Sequence, residues 1–335
     1  MNDAARTLPP AAQYVLTHKL PCAVLAALMF TAVLWVPGMV KGLPLLAAML
    51  PIFALGLQVL TPALFALILF GGGVAFASQV ALAASVIAGL LAGMSMLIGL
   101  LMLTLYALLP IYAARTMGGA DGLRISAQHL AIGLGMAVLM ALGFGATEQG
   151  VSLQAFVGQM LEPFFGTLAA QEPTGMSAAA YAEVLDQLRQ TVSGIFPGFV
   201  AFSLWLTWWG NVILARRIAV RYGFYSGGLQ PVTCLRFGRQ MAYSFAITLV
   251  IAGVAQGTLQ YVASNAAIIM AGMLAVQGLA VAHLWLKNRR MQLMLVLMYL
   301  ILMMQPAMVL PFTMIGLLDI WFDYRRGINP ASGGS

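Results

Sequence analysis

Charge is what this sequence has least of: 16 Lys and Arg and 9 Asp and Glu in 335 residues, or 7%. A soluble domain carries about 25%. With 62% apolar residues and a mean hydropathy of +0.95, the polar groups are too few to cover a globule in water. Disordered, collagenous and coiled-coil classes are excluded on the same numbers. The composition is that of an integral membrane protein, so the lipid bilayer is its first expected partner.

Other absences narrow the chemistry. There are 2 cysteines, Cys22 in an apolar run and Cys234 in a basic loop, a placement that argues against a disulfide. The 3 histidines (His18, His129, His283) are far apart in sequence. There is no His-Glu-x-x-His, no Gly-x-Ser-x-Gly and no dinucleotide fingerprint. Gly71-Gly72-Gly73 follows no strand and precedes no Lys-Ser/Thr, so it is not a phosphate loop. No resident cofactor or metal is expected, and the chain does not read as an enzyme.

What is present is length without charge. A span needs roughly 20 apolar residues. The uncharged runs Lys19–Lys41, Arg124–Glu148 and Arg189–Arg216 each hold one span. Lys41–Arg115 holds three, Arg239–Lys287 two, and Arg290–Asp319 one long span or a short hairpin broken at Gln305-Pro306 and Pro311. The expectation is an all-α, polytopic helix bundle with about nine or ten membrane segments, because no period-2 alternation supports a barrel. Threading these spans from a cytoplasmic N-terminus puts twelve Lys and Arg inside and two, Lys41 and Arg189, outside, while Arg325 and Arg326 fall outside with nine spans and inside with ten. The net charge of +7 is therefore positive-inside topology rather than a nucleic-acid footprint. The polar lead is long and no small-residue cleavage site follows the first apolar run, so a cleaved signal peptide is not expected.

The organisation follows: 1–19 a cytoplasmic N-terminus, 20–146 an N-terminal bundle of about five helices, 147–193 an extracytoplasmic insertion, 194–325 a C-terminal bundle and 326–335 a disordered tail. The insertion carries Glu148, Glu162, Glu172, Glu183 and Asp186. Two apolar stripes at helical spacing, Leu153–Phe164 and Tyr181–Val192, flank a break at Pro173-Thr174-Gly175, predicting two amphipathic helices that cap the bundle or form a lid. Small residues every four positions (Ala23, Ala27, Thr31; Ala81, Ser85, Gly89, Gly93) mark close helix contacts, expected within the chain's own bundle.

Polar side chains inside spans must face protein or water. Asp319 and Asp323, four apart beside Arg325 and Arg326, read either as a helix terminus anchored by arginines or as an ion or coupling site. Gln277, Asn211, His283 and Trp205 complete the set of candidate cavity or coupling residues. The cluster Trp205, Trp208 and Trp209 reads as an interfacial belt or as a cavity wall.

In the last third the residues become recognisable. Gln277-Gly278 with His283 five positions on, then Gly316-Leu317-Leu318-Asp319-Ile320-Trp321-Phe322-Asp323-Tyr324-Arg325, resembles the DUF2232 (YybS-like) family of bacterial membrane proteins. The stretch from Phe196-Pro197-Gly198 to Arg217 is similar to that family's middle. The resemblance implies a multi-pass protein of the bacterial inner membrane with a fold akin to the substrate-binding S components of energy-coupling-factor transporters. Those components carry an Ala-x-x-x-Ala face on the first helix, a spacing met here by Ala23 and Ala27.

The functional expectation is a non-enzymatic protein that binds or transports a small solute, S-component-like, with a separate energising partner, since no ATPase motif is present. The alternative is a scaffold or assembly subunit that organises other membrane proteins. A mid-membrane cavity lined by the polar residues would favour the first, and a dry, close-packed bundle the second.

Overall fold

The computed structural model describes residues 9–39, 44–119, 121–170, 175, 177–225, 227 and 230–326. Lys41, Glu172, the Pro173-Thr174 part of the expected break and the expected tail from 327 onward lie outside them. Among the described residues the secondary structure is helical throughout: α1 (Pro10–Thr17), α2 (Lys19–Met39), α3 (Pro44–Leu91), α4 (Met96–Leu101), a π-helix (Met102–Leu108), α5 (Leu109–Thr116), α6 (Gly122–Gln149), α7 (Leu153–Ala169), α8 (Ala178–Arg221), α9 (Arg239–Val254), α10 (Gly257–Asn288), α11 (Gln292–Met304) and α12 (Val309–Phe322). Serines start several of these helices. The Ser95 and Ser152 hydroxyls accept the backbone N–H groups of Ile98 and Ala155, satisfying donors that a first turn leaves free.

Six of these helical segments are long and apolar enough to cross a membrane, and seven if α11 and α12, bent by 120°, count as one span. The nine or ten segments counted between charges exceed this number, because α3 runs as one 48-residue helix across a kink at Gly73 (φ 74, ψ 178) and α9, 16 residues long, is a shorter apolar helix. A glycine alone tolerates that positive φ without strain.

The chain forms two compact units, Met1–Leu134 with Leu204–Gln230, and Gly135–Ser203 with Pro231–Ser335. The sequence boundaries expected at 146/147 and 193/194 differ from these, and both 146 and 193 fall inside helices. The second expected amphipathic helix is not separate: α8 runs unbroken from Ala178 through Pro197 to Arg221, for a reason given below.

In the first unit α2 packs on α3 through Ala23, Ala27 and Thr31, all fully buried. Ala81 and Ser85 are buried too, and Gly89 meets Gly99. These small residues thus serve packing inside the chain, except Gly93, which lies exposed beyond the end of α3 with open space around it. In the second unit α7 lies along the start of α8, fixed by the Tyr181 hydroxyl donating to the Leu168 carbonyl (2.8 Å) and by the Arg189–Glu162 ion pair. Val157, Leu153, Ala146 and Tyr261 form the apolar core beneath them.

α10 and α12 run parallel. Thr313 donates to the Ala271 carbonyl, and Gln277 reaches Gly316 and Asp319 further down both helices. The end of α12 therefore lies at the same end of the unit as the Lys287 end of α10, and α11–α12 form the short hairpin foreseen at Gln305-Pro306. At the crossing, a Cβ on Gly278 would strike the Phe312 carbonyl and one on Gly316 the Leu274 carbonyl. Overpacking at such a contact costs about 1–3 kcal/mol or more. Gly278→Leu and Gly316→Leu are expected to lower the thermal unfolding temperature in detergent sharply. Gly253→Ala, with open space around it, should leave it unchanged or slightly raised.

Candidate functional site

The polar residues of the second unit gather in two places along α10. The first is a break in α8. Pro197 has no N–H, so the Ser193 carbonyl one turn back loses its helical donor. The Tyr261 hydroxyl supplies one at 2.7 Å. The next pair of backbone groups is bridged by an amide side chain: Gly198 N–H donates to Asn265 Oδ1 (2.7 Å), and Asn265 Nδ2 donates to the Gly194 carbonyl (2.9 Å). Asn265, 3% exposed, stands in for the lost turn. That is why the helix carries on past the proline and no boundary forms at 193.

The second is at the α10–α12 crossing. Asp319 is fully buried. Its Oδ2 accepts from Arg325 Nη2 (2.8 Å) and from Gln277 Nε2 (2.9 Å), while Oδ1 accepts the Tyr324 N–H (3.2 Å). Gln277, also fully buried, gives Nε2 to the Gly316 carbonyl as well (3.1 Å), and its Oε1 accepts Phe237 N–H (2.7 Å). Arg325 Nη1 donates to the Thr233 carbonyl (2.5 Å). Arg236 closes the chain, pairing with Asp323 (3.0 Å). Together these contacts fasten the irregular segment 231–238 to the ends of α10 and α12.

The structure places the two acids differently. Asp323 caps α12 in the left-handed conformation (φ 47, ψ 59), so it leaves the helical register, and the acids take different arginines instead of sharing a cation. They anchor the helix terminus. An exposed ion pair at a helix terminus is inexpensive, but Asp319 is fully buried. Its desolvation makes the pair sensitive, because removing one partner leaves a buried charge uncompensated.

The remaining candidates lie apart from this lock. His283, half-buried on α10, shares a hydrogen bond with the Tyr299 hydroxyl on α11 (3.0 Å). Asn211 and Trp205 belong to the first unit. Asn211 Nδ2 donates to the Val59 carbonyl (2.5 Å), in the turn of α3 that Pro62 disturbs. Trp205 Nε1 donates to the Ala127 carbonyl (2.8 Å), and its ring stacks on Trp209. Trp208 Nε1 caps the Leu105 carbonyl of the π-helix (2.7 Å). Its i→i+5 donor there would be Pro110, which has no N–H. All three tryptophans are buried, so they form neither a surface belt nor a wall of a described cavity. Arg236, Arg325 and Asn265 were visible in the sequence only as loop charges and a span amide; the spacing Asp319 to Arg325 was the available signal.

Among the described residues no three His, Cys, Asp or Glu side chains group as a metal site. An apolar cavity lies in the first unit. It is about 480 Å³, open on one side, between α2 and α3, with walls of Leu25, Leu28, Trp35, Phe53, Ala54 and Leu57.

The profile of the family described as "Predicted membrane protein (DUF2232)" matches residues 42–320, and the chain belongs to that family. No curated protein and no solved structure matches it.

The two acids make a direct contrast. Asp319→Asn keeps the shape but strands Arg325, and is expected to cost about 3–5 kcal/mol. The double variant Asp319→Leu with Arg325→Leu should recover most of that loss. Asp323→Asn, whose partner Arg236 has a side chain 41% exposed, should cost about 0–1 kcal/mol. Thermal unfolding of the four purified proteins checks the order.

Proposed function

We propose that this member of the DUF2232 family is a non-enzymatic, multi-pass protein of the bacterial inner membrane that binds a small amphiphilic solute. Its N-terminus is cytoplasmic and the α7–α8 hairpin extracytoplasmic. The orientation rests on the twelve-to-two distribution of Lys and Arg. The observation that carries the binding reading is the cavity between α2 and α3, whose volume of about 480 Å³ falls within the range of small-molecule sites. Its walls are aliphatic and aromatic. Thr31, the polar side chain among them, spends its hydroxyl on the Ala27 carbonyl. Such walls hold an acyl or prenyl-like portion by area, leaving the solute's polar end to water or headgroups. The polar residues that might have recognised a hydrophilic solute, Asn211, Gln277, Asn265 and Asp319, are already bonded to the protein. Transport, where it occurs, draws its energy from a separate partner or an ion gradient.

The scaffold reading is favoured by one observation, that these buried polar side chains hold helices together. Mass spectrometry of small molecules carried through purification in mild detergent separates the two. The wild type is expected to retain an amphiphile that Ala54→Phe and Leu28→Trp, which fill the cavity, have lost. Identical small molecules in all three, with a protein partner at fixed stoichiometry, would establish the scaffold instead.

Topology has its own check in the native thiols. Cys234 is exposed and Cys22 buried. A membrane-impermeant maleimide added to intact cells should label an Ala179→Cys variant and spare Cys234 until the cells are opened. Labelling of Cys234 in intact cells would invert the orientation.

A further inference from the structure

The lock at the α10–α12 crossing has an electrostatic consequence. At that end of the second unit lie seven basic residues, Arg236, Arg239, Lys287, Arg289, Arg290, Arg325 and Arg326, and two acids, Asp319 and Asp323. Both acids are engaged inside the lock by Arg325 and Arg236. Arg239, Lys287, Arg289, Arg290 and Arg326 are exposed, and among the described residues none of the five forms an ion pair. The segment 231–238 ties the start of α9 to Gln277, three turns before the end of α10, and to Arg325 just beyond α12. Arg239 and Arg326 therefore flank the lock, and Lys287, Arg289 and Arg290 follow further along α10 at the same end, or rim, of the unit.

Aromatic rings stand beside them. Trp285 is 43% exposed, Trp321 45%, Phe322 67% and Tyr324 45%. The Arg289 guanidinium lies 4.0 Å from the Trp285 ring centre, a stacking that holds the charge at the level of the ring. Above the rim, α12 exposes Leu310, Met314 and Leu318. An exposed cationic edge, an aromatic collar and an apolar wall in that order match one kind of molecule: a diacyl lipid with its chains along the wall, its glycerol region at the rings and its phosphate at the arginines.

We propose that this rim is a binding surface for anionic phospholipid, of the phosphatidylglycerol or cardiolipin kind. Arg289, Lys287 and Arg290 are the main headgroup contacts, and Arg239 and Arg326 flank them. The surface is in the second unit and independent of the α2–α3 cavity, so neither proposal stands or falls with the other. Zwitterionic lipid fits the wall and the collar equally well but carries no net charge for the five cations, so the surface discriminates by headgroup.

The test uses the full chain in nanodiscs containing equal amounts of phosphatidylglycerol and phosphatidylcholine, released into native mass spectrometry. Each basic residue near a membrane surface favours an anionic lipid by about five-fold. The wild type is expected to retain phosphatidylglycerol at least ten-fold over phosphatidylcholine. The variant Lys287→Gln with Arg289→Gln and Arg290→Gln should lose most of that preference. All three residues are exposed, so folding should be preserved, and Arg124→Gln in the first unit should leave the preference intact. A photoreactive phosphatidylglycerol should crosslink to the peptide spanning Trp285–Arg290 in the wild type. Equal lipid ratios in wild type and triple variant, or displacement of the bound lipid by millimolar inorganic phosphate, would overturn the proposal, the latter because it marks a bare anion site.

Discussion

A bilayer offers no hydrogen bonds, so every backbone group that a proline or an irregular turn sets free must find a partner inside the protein. The polar side chains buried in this chain meet that demand. Tyr261 and Asn265 repair the turn of α8 opened by Pro197. Trp208 supplies the donor that Pro110 withholds from the π-helix, and Asn211 donates to the Val59 carbonyl of α3. Arg325 and Gln277 do the same for the non-helical segment 231–238.

Seen this way, Asp319 is a consequence. A guanidinium brought inside to cap the Thr233 carbonyl needs a counter-charge in a medium that does not solvate it. Asp319 provides it, and Gln277 orients the carboxylate. The Gly278–Gly316 contact brings α10 and α12 close enough for one amide to touch both helices and the segment beyond. Removing charge from solution in this way leaves the remaining arginines of that rim without acids, the basis for its affinity for anionic lipid.

Class and element order were legible in the sequence because they follow from composition and from where charges interrupt apolar runs. Gly71-Gly72-Gly73 marked a weak point, and the helix does break at Gly73. The hairpin at Gln305-Pro306 was visible from its breakers. Other features depended on contacts between distant residues. A proline usually kinks or ends a helix; the meeting of α8 with Tyr261 and Asn265 lets the helix continue past Pro197. Asp319 and Asp323 looked equivalent by spacing, but the left-handed cap at Asp323 separates a buried acid from a half-exposed one. Gln277 and Asp319 stood out as polar residues inside apolar runs, yet nothing local revealed that they bond each other, or that Trp205 and Asn211 belong to a different unit.

The central claim is that buried side chains replace the hydrogen bonds that irregular backbone shut away from water inside the protein would otherwise lack. Hydrogen–deuterium exchange at Phe237 addresses it directly, because this amide sits outside any helix and donates to Gln277 Oε1 at 2.7 Å. Protection of the Phe237 N–H comparable to that of α10, lost in Gln277→Leu while α10 itself stays protected, is the predicted result. Exchange of Phe237 in the wild type as fast as an ordinary solvent-exposed loop would contradict the account.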